Sequence, residues 1–308
     1  MEALKQTSLL EAFREDCINR GMTPESIRRY ISSLRTFLAW LDERGTDVKH
    51  VDRFVLRELL SYLRSKGLKQ KTLENYFSAI SSFYDFLQYE NVVNGNPVIP
   101  VRKRYLNPYK KNKNSERKVL TVKEASLLVN SIPYIRDKAI VLLLLKTGIR
   151  RGELISIDVQ DINWEEQSII LKPKAKRTNR VVFFDDETAR ILKKWLKVRE
   201  KLNPKTDALF VNERGGRLNR NGVYTAVTKW TAMLGFHNPN SQNPMDKFTP
   251  HTCRHCFTTW LRKSGMRREF IQELRGDARR EAIDIYDHID KDELRRAYLS
   301  HIPKLGVE

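Results

Sequence analysis

Cysteine is scarce in this chain of 308 residues: Cys17, Cys253 and Cys256 are the only three. Three thiols build no disulfide framework of the secreted kind. Long apolar runs are missing too. The longest, Ile140 to Leu145, ends at Lys146, far short of the ~18 residues that a membrane span needs. The opening text MEALKQTSLLEAF holds no signal-peptide core, so the expectation is a cytoplasmic protein without a membrane partner. Acid is in short supply: 38 Asp and Glu face 57 Lys and Arg, a formal net charge of +19. A globular chain this basic is expected to meet a polyanion, and nucleic acid is the leading one. Hydrophobic residues make up 40%, which is enough for packed cores and too much for a disordered chain. The length exceeds one ordinary core, so two domains are expected. There is no internal repeat and no low-complexity tract.

Residues 1–100 read as helical. Ser8 and Glu11 have the spacing of a capping box, and Thr23-Pro24 reads as an N-cap followed by proline at the first helical position. Ile27, Tyr30, Ile31, Leu34, Phe37, Leu38 and Leu41 then form a helical stripe that Gly45 ends. A third helix is expected from Asp52 to Gly67. A fourth carries Leu73, Tyr76, Phe77, Ile80, Phe83, Tyr84 and Leu87. Its aromatics suit a base-stacking platform only if exposed; their helical spacing favours a core. Short connections imply a four-helix bundle. In the next stretch Asn, Gly and Pro break the periodicity. Residues 101–118 read as an interdomain linker, dense in Arg102, Lys103, Arg104, Lys110, Lys111 and Lys113. By itself such a run is as well read as solvated; the charge of the whole chain favours a strap along phosphates. Residues 119–308 form the second domain. It opens on Thr121 and Glu124 as another capping box and continues with a buried helix, Arg136 to Lys146. Two strands, 168–172 and 180–184, are joined by the basic loop PKAKRTN. Helices follow at about 186–202, 220–235, 252–264, 267–275 and 279–286, with a short one in DELRRAYLSHI.

Within that domain TGIRRGEL comes first, then the lysine-bearing hairpin, then HTCRH, then a tyrosine in IYDHI. Each is weak alone: Arg150 beside Arg151 suits a surface pair, Glu153 a solvated helix face, Lys174, Lys176 and Arg177 a solvated turn, and Tyr286 a core. Together and in this order they resemble the tyrosine recombinase (phage integrase) family, whose catalytic domain carries an Arg in T-G-x-R-x-x-E, a hairpin Lys, an H-x-x-R segment and a C-terminal Tyr. The matching positions are Arg150 with Glu153, Lys174, His251 through Arg254, and Tyr286. The resemblance runs over residues ~120 to 295 and, less specifically, over the N-terminal bundle as a core-binding domain. RGDARREAIDIYDHID and the ending IPKLGVE look most like archaeal members.

The resemblance implies an α+β, mostly helical fold: a four-helix core-binding domain, then a mixed catalytic domain with a small antiparallel sheet, the two forming a clamp on duplex DNA. It implies site-specific cleavage and rejoining through a 3′-phosphotyrosyl intermediate, a homotetramer on specific recombination sites, and no cofactor. The residue chemistry agrees. Two guanidinium forks, Arg150 and Arg254, suit the nonbridging oxygens of a phosphodiester under attack. A phenol with a pKa near 10 needs help to become a nucleophile, and cationic neighbours with a base such as His251 supply it. Lys174, the first lysine of the hairpin pattern, is placed to protonate the leaving 5′ oxygen, with Lys176 as runner-up; Phe183 stands where proline is common. Glu153 sits one turn from Arg150 and is placed to orient it. Lys176 and Arg177 join the DNA-binding set.

The pattern breaks at Asp277, nine residues before Tyr286, where the family often has histidine. Asp277 either orients His251, Arg150 or Arg254, or caps a helix beginning at Ala278; the capping reading is preferred. Cys253 and Cys256 have CxxC spacing, with His251 and His255 among them, but a structural zinc usually needs a second ligand pair. His255 reads as a core histidine. The rivals are a type IB topoisomerase, which uses a similar Arg, Lys and Tyr set, and a noncatalytic DNA-binding regulator on the same fold.

Overall fold

In the computed structural model the described residues are 2–106, 118–173, 181–241, 243–277 and 289–307, and the chain divides into two compact units, Met1–Asn112 and Lys113–Glu308. Each has its own apolar core.

The first unit is built on four helices: α1 Glu2–Asn19, α2 Pro24–Asp42, α3 Arg53–Ser65 and α4 Gln70–Tyr89. Local signals explain three of the boundaries. Thr23 Oγ1 accepts the Ser26 N–H at 3.3 Å with Pro24 at the first turn. Gly45, at φ +62°, follows the end of α2. Asp52 accepts the N–H groups of Phe54 and Val55 at 2.8 and 2.9 Å. The expected cap at Ser8 is not a helix start; α1 already runs through it, because a serine–glutamate spacing does not prevent a helix from extending upstream. The stripe on α2 buries Ile27, Leu34, Phe37, Leu38 and Leu41. The aromatics of α4 are core and not a stacking platform. Phe83 packs edge-on against Phe13 at 5.4 Å, and Tyr84 donates its hydroxyl to Val48 O at 2.8 Å. Beyond α4 the periodicity resumes sooner than the Asn, Gly and Pro residues suggest. A short helix, α5 (Val98–Val101), and a helical turn at Arg102–Leu106 fold back onto this unit, burying Val98, Val101 and Leu106. Arg102 donates to Ser78 Oγ at 3.1 Å, so residues 101–106 belong to this packed body and not to an extended strap.

The second unit opens with α6 (Val122–Asn130), whose Thr121–Glu124 capping box is complete. At its centre is α7 (Ile135–Thr147), with every residue from Ala139 to Thr147 buried. Lys146, 0% exposed, sits among them. Its ammonium is held by Asp185 at 2.6 Å, Glu187 at 2.7 Å and the Pro303 carbonyl at 2.6 Å; a buried charge needs such partners. After the short α8 (Arg151–Leu154) come β1 Ile162–Asn163, β2 Ser168–Ile170 and β3 Val181–Phe183, a three-stranded antiparallel sheet in that order. Ile162 faces Ile169 and Ile169 faces Val182, so the apolar alternation fixes the register. Then follow α9 Asp186–Lys201, α10 Arg220–Met233, α11 Pro250–Lys263, α12 Arg268–Arg275 and α13 Lys291–His301. The last residues pack on this same unit: Glu187 accepts the backbone N–H groups of Leu305, Gly306 and Val307, and Ser126 donates to Leu305 O at 2.6 Å. No helix among the described residues is long and apolar enough to cross a membrane.

Candidate active site

Three pieces of backbone meet at one place: the turn between α7 and α8, the start of α11 and the end of α12. The turn depends on Gly148, left-handed at φ +61° as the C-cap of α7. A Cβ there would sit 2.4 Å from the ring of Phe257 on α11. Glycine therefore both reverses the chain and lets α11 approach. The carbonyl of Gly148 is then aimed at α11, where Arg254 Nη1 donates to it at 2.7 Å.

Two residues on, Arg150 is the N-cap residue of α8, and Glu153 grips it twice. One carboxylate oxygen accepts the Arg150 backbone N–H at 2.7 Å; the other accepts from Nη1 at 3.1 Å. Glu153 is buried and Arg150 is 39% exposed. A buried anion thus fixes a cation that still reaches solvent. Arg254 is 4% exposed. Besides Gly148 O it donates from Nη2 to Arg275 O and to Asp277 Oδ1, both at 2.9 Å. Among the described residues these acceptors take three of the five N–H groups that a guanidinium carries. Burial, then the charges of Arg150 and Arg275, pull the Arg254 pKa down to about 10, while Asp277 and Glu153 push it back up. It is a cation at neutral pH.

Asp277 lies among three guanidinium groups. Oδ1 meets Arg254 at 2.9 Å and Arg150 at 3.4 Å, and Oδ2 lies 3.0 Å from Arg275 Nε. Its backbone N–H closes α12 on Gln272 O at 3.1 Å, after the left-handed Gly276. The helix that Asp277 was expected to cap lies outside the described residues. The described bonds are those of the orienting reading. Where the family often has histidine, this chain places a carboxylate that, among the described residues, meets three guanidinium groups. Among the described residues the cluster counts three guanidiniums against two carboxylates, Asp277 and Glu153.

The cluster faces an open cleft of about 400 Å³ lined by Arg150, Arg151, Arg220, Tyr224, His251 and Arg254, among others. His251, exposed in the first turn of α11, stands edge-on to His255 with ring centroids 4.7 Å apart. Cys253 and Cys256 point away, into the core, where Cys256 Sγ accepts the Leu120 N–H at 3.4 Å and burial pushes its thiol up to about 12. Among the described residues no group of three or more His, Cys, Asp or Glu is placed to hold a metal.

The structure thus brings Arg150, Glu153, His251, Arg254 and Asp277 together. Lys174, Lys176, Arg177, Tyr286, Lys110, Lys111 and Lys113 lie outside the described residues. Lys103 and Arg104 sit on the helical turn of the first unit with Arg102. Sequence reasoning missed Arg275, Arg220 and Tyr224. The signal for Arg275 was its place two residues before the anomalous Asp277; nothing marked the other two.

The cluster gives a direct test of Asp277. In the DNA cleavage that the resemblance implies, Asp277→Ala is expected to slow a single turnover about 10- to 100-fold, since small misplacements of a catalytic cation cost that much. Asp277→Asn, which keeps an acceptor for Arg254, is expected to fall between. If Asp277→Ala cleaves at the wild-type rate and loses only about 1 kcal/mol of stability on denaturation, capping is its whole role.

Residues 118–293 match the family model described as phage integrase family, and residues 10–91 match phage integrase, N-terminal SAM-like domain. Tyrosine recombinase XerD of Oceanobacillus iheyensis is 29% identical over 298 residues, covering 93% of this chain and 95% of that protein. Tyrosine recombinase XerC of Vibrio parahaemolyticus is 30% identical over 285 residues, covering 91% and 87%. The solved Tn1549 transposon integrase in complex with a circular intermediate DNA superposes with a TM-score of 0.70 at 17% identity, over 94% of this chain and 97% of that one. That likeness is one of fold.

Proposed function

This chain belongs to the phage integrase family of tyrosine recombinases, and on that premise we propose that it cleaves and rejoins duplex DNA at specific sites, with Tyr286 as the nucleophile. The observation that carries the reading is the paired guanidinium cluster, Arg150 held by Glu153 and Arg254 held by Gly148 O and Asp277, at one wall of an open cationic cleft. Two forks fixed from behind suit the two nonbridging oxygens of a phosphodiester, where charge accumulates in the transition state.

The Tyr286 oxygen attacks phosphorus; a P–O(Tyr) bond forms and the P–O5′ bond breaks. His251 takes the phenol proton, and Lys174 gives a proton to the departing O5′. The 3′-phosphotyrosyl bond keeps the energy of the broken one, so a 5′ hydroxyl from the same or another strand reverses the step. This chemistry requires neither a metal nor ATP. Lys103, Arg104, Lys110, Lys111, Lys113, Lys176 and Arg177 are assigned to phosphate contacts on the strength of the +19 charge; Arg102 joins them with its guanidinium already held by Ser78. The working form is assigned to four copies bridging two recombination sites, and the work is placed on cytoplasmic DNA, chromosomal or carried by a mobile element.

Strand exchange is the test. Sites are first recovered by selecting bound duplexes from a random pool, then placed as a pair on a supercoiled plasmid. The expected products are recombinant circles whose topology depends on both sites being present. Relaxation of the plasmid with no exchange would instead identify a topoisomerase, and binding with no strand cleavage a noncatalytic regulator.

A further inference from the structure

We infer that Asp158 is a positioning residue for proton delivery: it ties the root of the lysine-bearing hairpin to the helix that Arg150 caps. The inference rests on Lys174 as the acid.

Asp158 is 7% exposed and carries two cations. One carboxylate oxygen is hydrogen-bonded to Lys172 Nζ; the other accepts from Arg217 Nη2 at 2.6 Å. Lys172 stands two residues before Lys174, just beyond β2. Arg217 reaches the other way. Its Nη1 donates at 2.8 Å to the carbonyl of Ile155, the C-cap residue of α8. That helix spans only Arg151–Leu154, so Ile155 is one short turn from Arg150 and two residues from Glu153. An unbroken chain of polar contacts therefore runs from Lys172 through Asp158 and Arg217 to the end of α8.

Asp158 is itself fixed. Its N–H donates to Asp161 Oδ2 at 2.8 Å. On either side, Leu209 N–H donates to Ile157 O and Val159 N–H to Asp207 O, both at 2.9 Å. Burial pushes the Asp158 carboxyl up, but hydrogen bonds and charge from Lys172 and Arg217 outweigh it and hold the group below the usual carboxylate range. It is an anion on a rigid post. The two cations are 44% and 37% exposed, and ion pairs that open to water add little stability. What the arrangement supplies is geometry. Leu171, buried beside Lys172, pins one side of the root, and the Asp158 contact pins the next residue. Lys174 is two residues further along the sequence. The acid and Arg150 must meet the same phosphate, so the spacing of their supports governs whether the proton arrives as the P–O5′ bond breaks.

A leaving-group substitution separates this role from a merely structural one. Sulfur in place of the bridging 5′ oxygen departs as a thiolate and needs no proton. In single-turnover cleavage of ordinary DNA, Asp158→Asn and Lys172→Met are expected to slow the reaction about 10- to 100-fold, the range for a misplaced catalytic group. On the sulfur substrate both are expected to come within about threefold of wild type, as proton delivery drops out of the barrier. Lys174→Ala runs alongside as the reference. Equal slowing on both substrates would mean that Asp158 acts on the fold or on Arg150, and wild-type rates on ordinary DNA would mean that it does nothing for cleavage; either result overturns the inference while the acid reading stands. If sulfur fails to restore Lys174→Ala itself, the acid lies elsewhere and both readings fall. Circular dichroism checks folding; should Asp158→Asn fail to fold, Lys172→Met, changed at an exposed side chain, decides.

Discussion

Replacing Arg254 with lysine is expected to leave a folded protein that binds DNA and cleaves it about 10²- to 10³-fold more slowly, the usual loss when one fixed donor to a developing oxyanion is removed. The positive charge survives the change; the fork does not. Arg254 spans Gly148 O, Arg275 O and Asp277 Oδ1 at 2.7, 2.9 and 2.9 Å with two different nitrogens. A lysine ammonium is one nitrogen on a flexible stem. It cannot satisfy those acceptors and also reach a phosphate. Arg254→Ala goes further, leaving two carbonyls and a carboxylate without that donor in a buried site, and is expected to cost about 3–5 kcal/mol of stability as well. The comparison to make is single-turnover cleavage beside equilibrium binding and urea denaturation. A lysine variant that cleaves within a few-fold of wild type would reduce Arg254 to a point charge.

The elements that announced themselves were those governed by local rules. The stripe on α2, the Thr23-Pro24 cap and the Thr121–Glu124 box depend on neighbours within a turn, and the structure has them. The Arg150–Glu153 contact is of the same kind, since a three-residue spacing at a helix start brings the two together. What was not legible depends on distant chain. Lys146 reads as the polar end of an apolar run, yet it is the charged centre of the second unit, because Asp185, Glu187 and Pro303 arrive from 39 to 157 residues away. β1, two residues long, carries no alternation to read. Asp277 looks like a helix cap in sequence; its partner Arg254 lies 23 residues upstream and Arg150 lies 127. The Asp158 contacts span 14 and 59 residues. The site's identity was thus written in its motif order, and its supports were written in tertiary contacts.

The second large effect is the loss of chemistry in Tyr286→Phe. Only a hydroxyl is removed, so folding and DNA affinity are expected to persist while covalent capture of DNA stops altogether. No other tyrosine near the C-terminus is a ready substitute. Tyr298 is fully buried, packs beside Phe183, donates its hydroxyl to Lys146 O at 3.0 Å, and has its ionisation pushed far up by burial and then by Asp185 and Glu187. The decisive measurement uses duplex DNA carrying the selected site and a nick just 3′ of the cleavage point. The short fragment bearing the 5′ hydroxyl then diffuses away, and the phosphotyrosyl intermediate accumulates as a band of reduced mobility on a denaturing gel. Wild-type protein is expected to give that band, with the DNA mapped by peptide mass to Tyr286, and Tyr286→Phe to give none at equal binding. A band of undiminished intensity from Tyr286→Phe would contradict the assignment of the nucleophile and with it the whole account of the site.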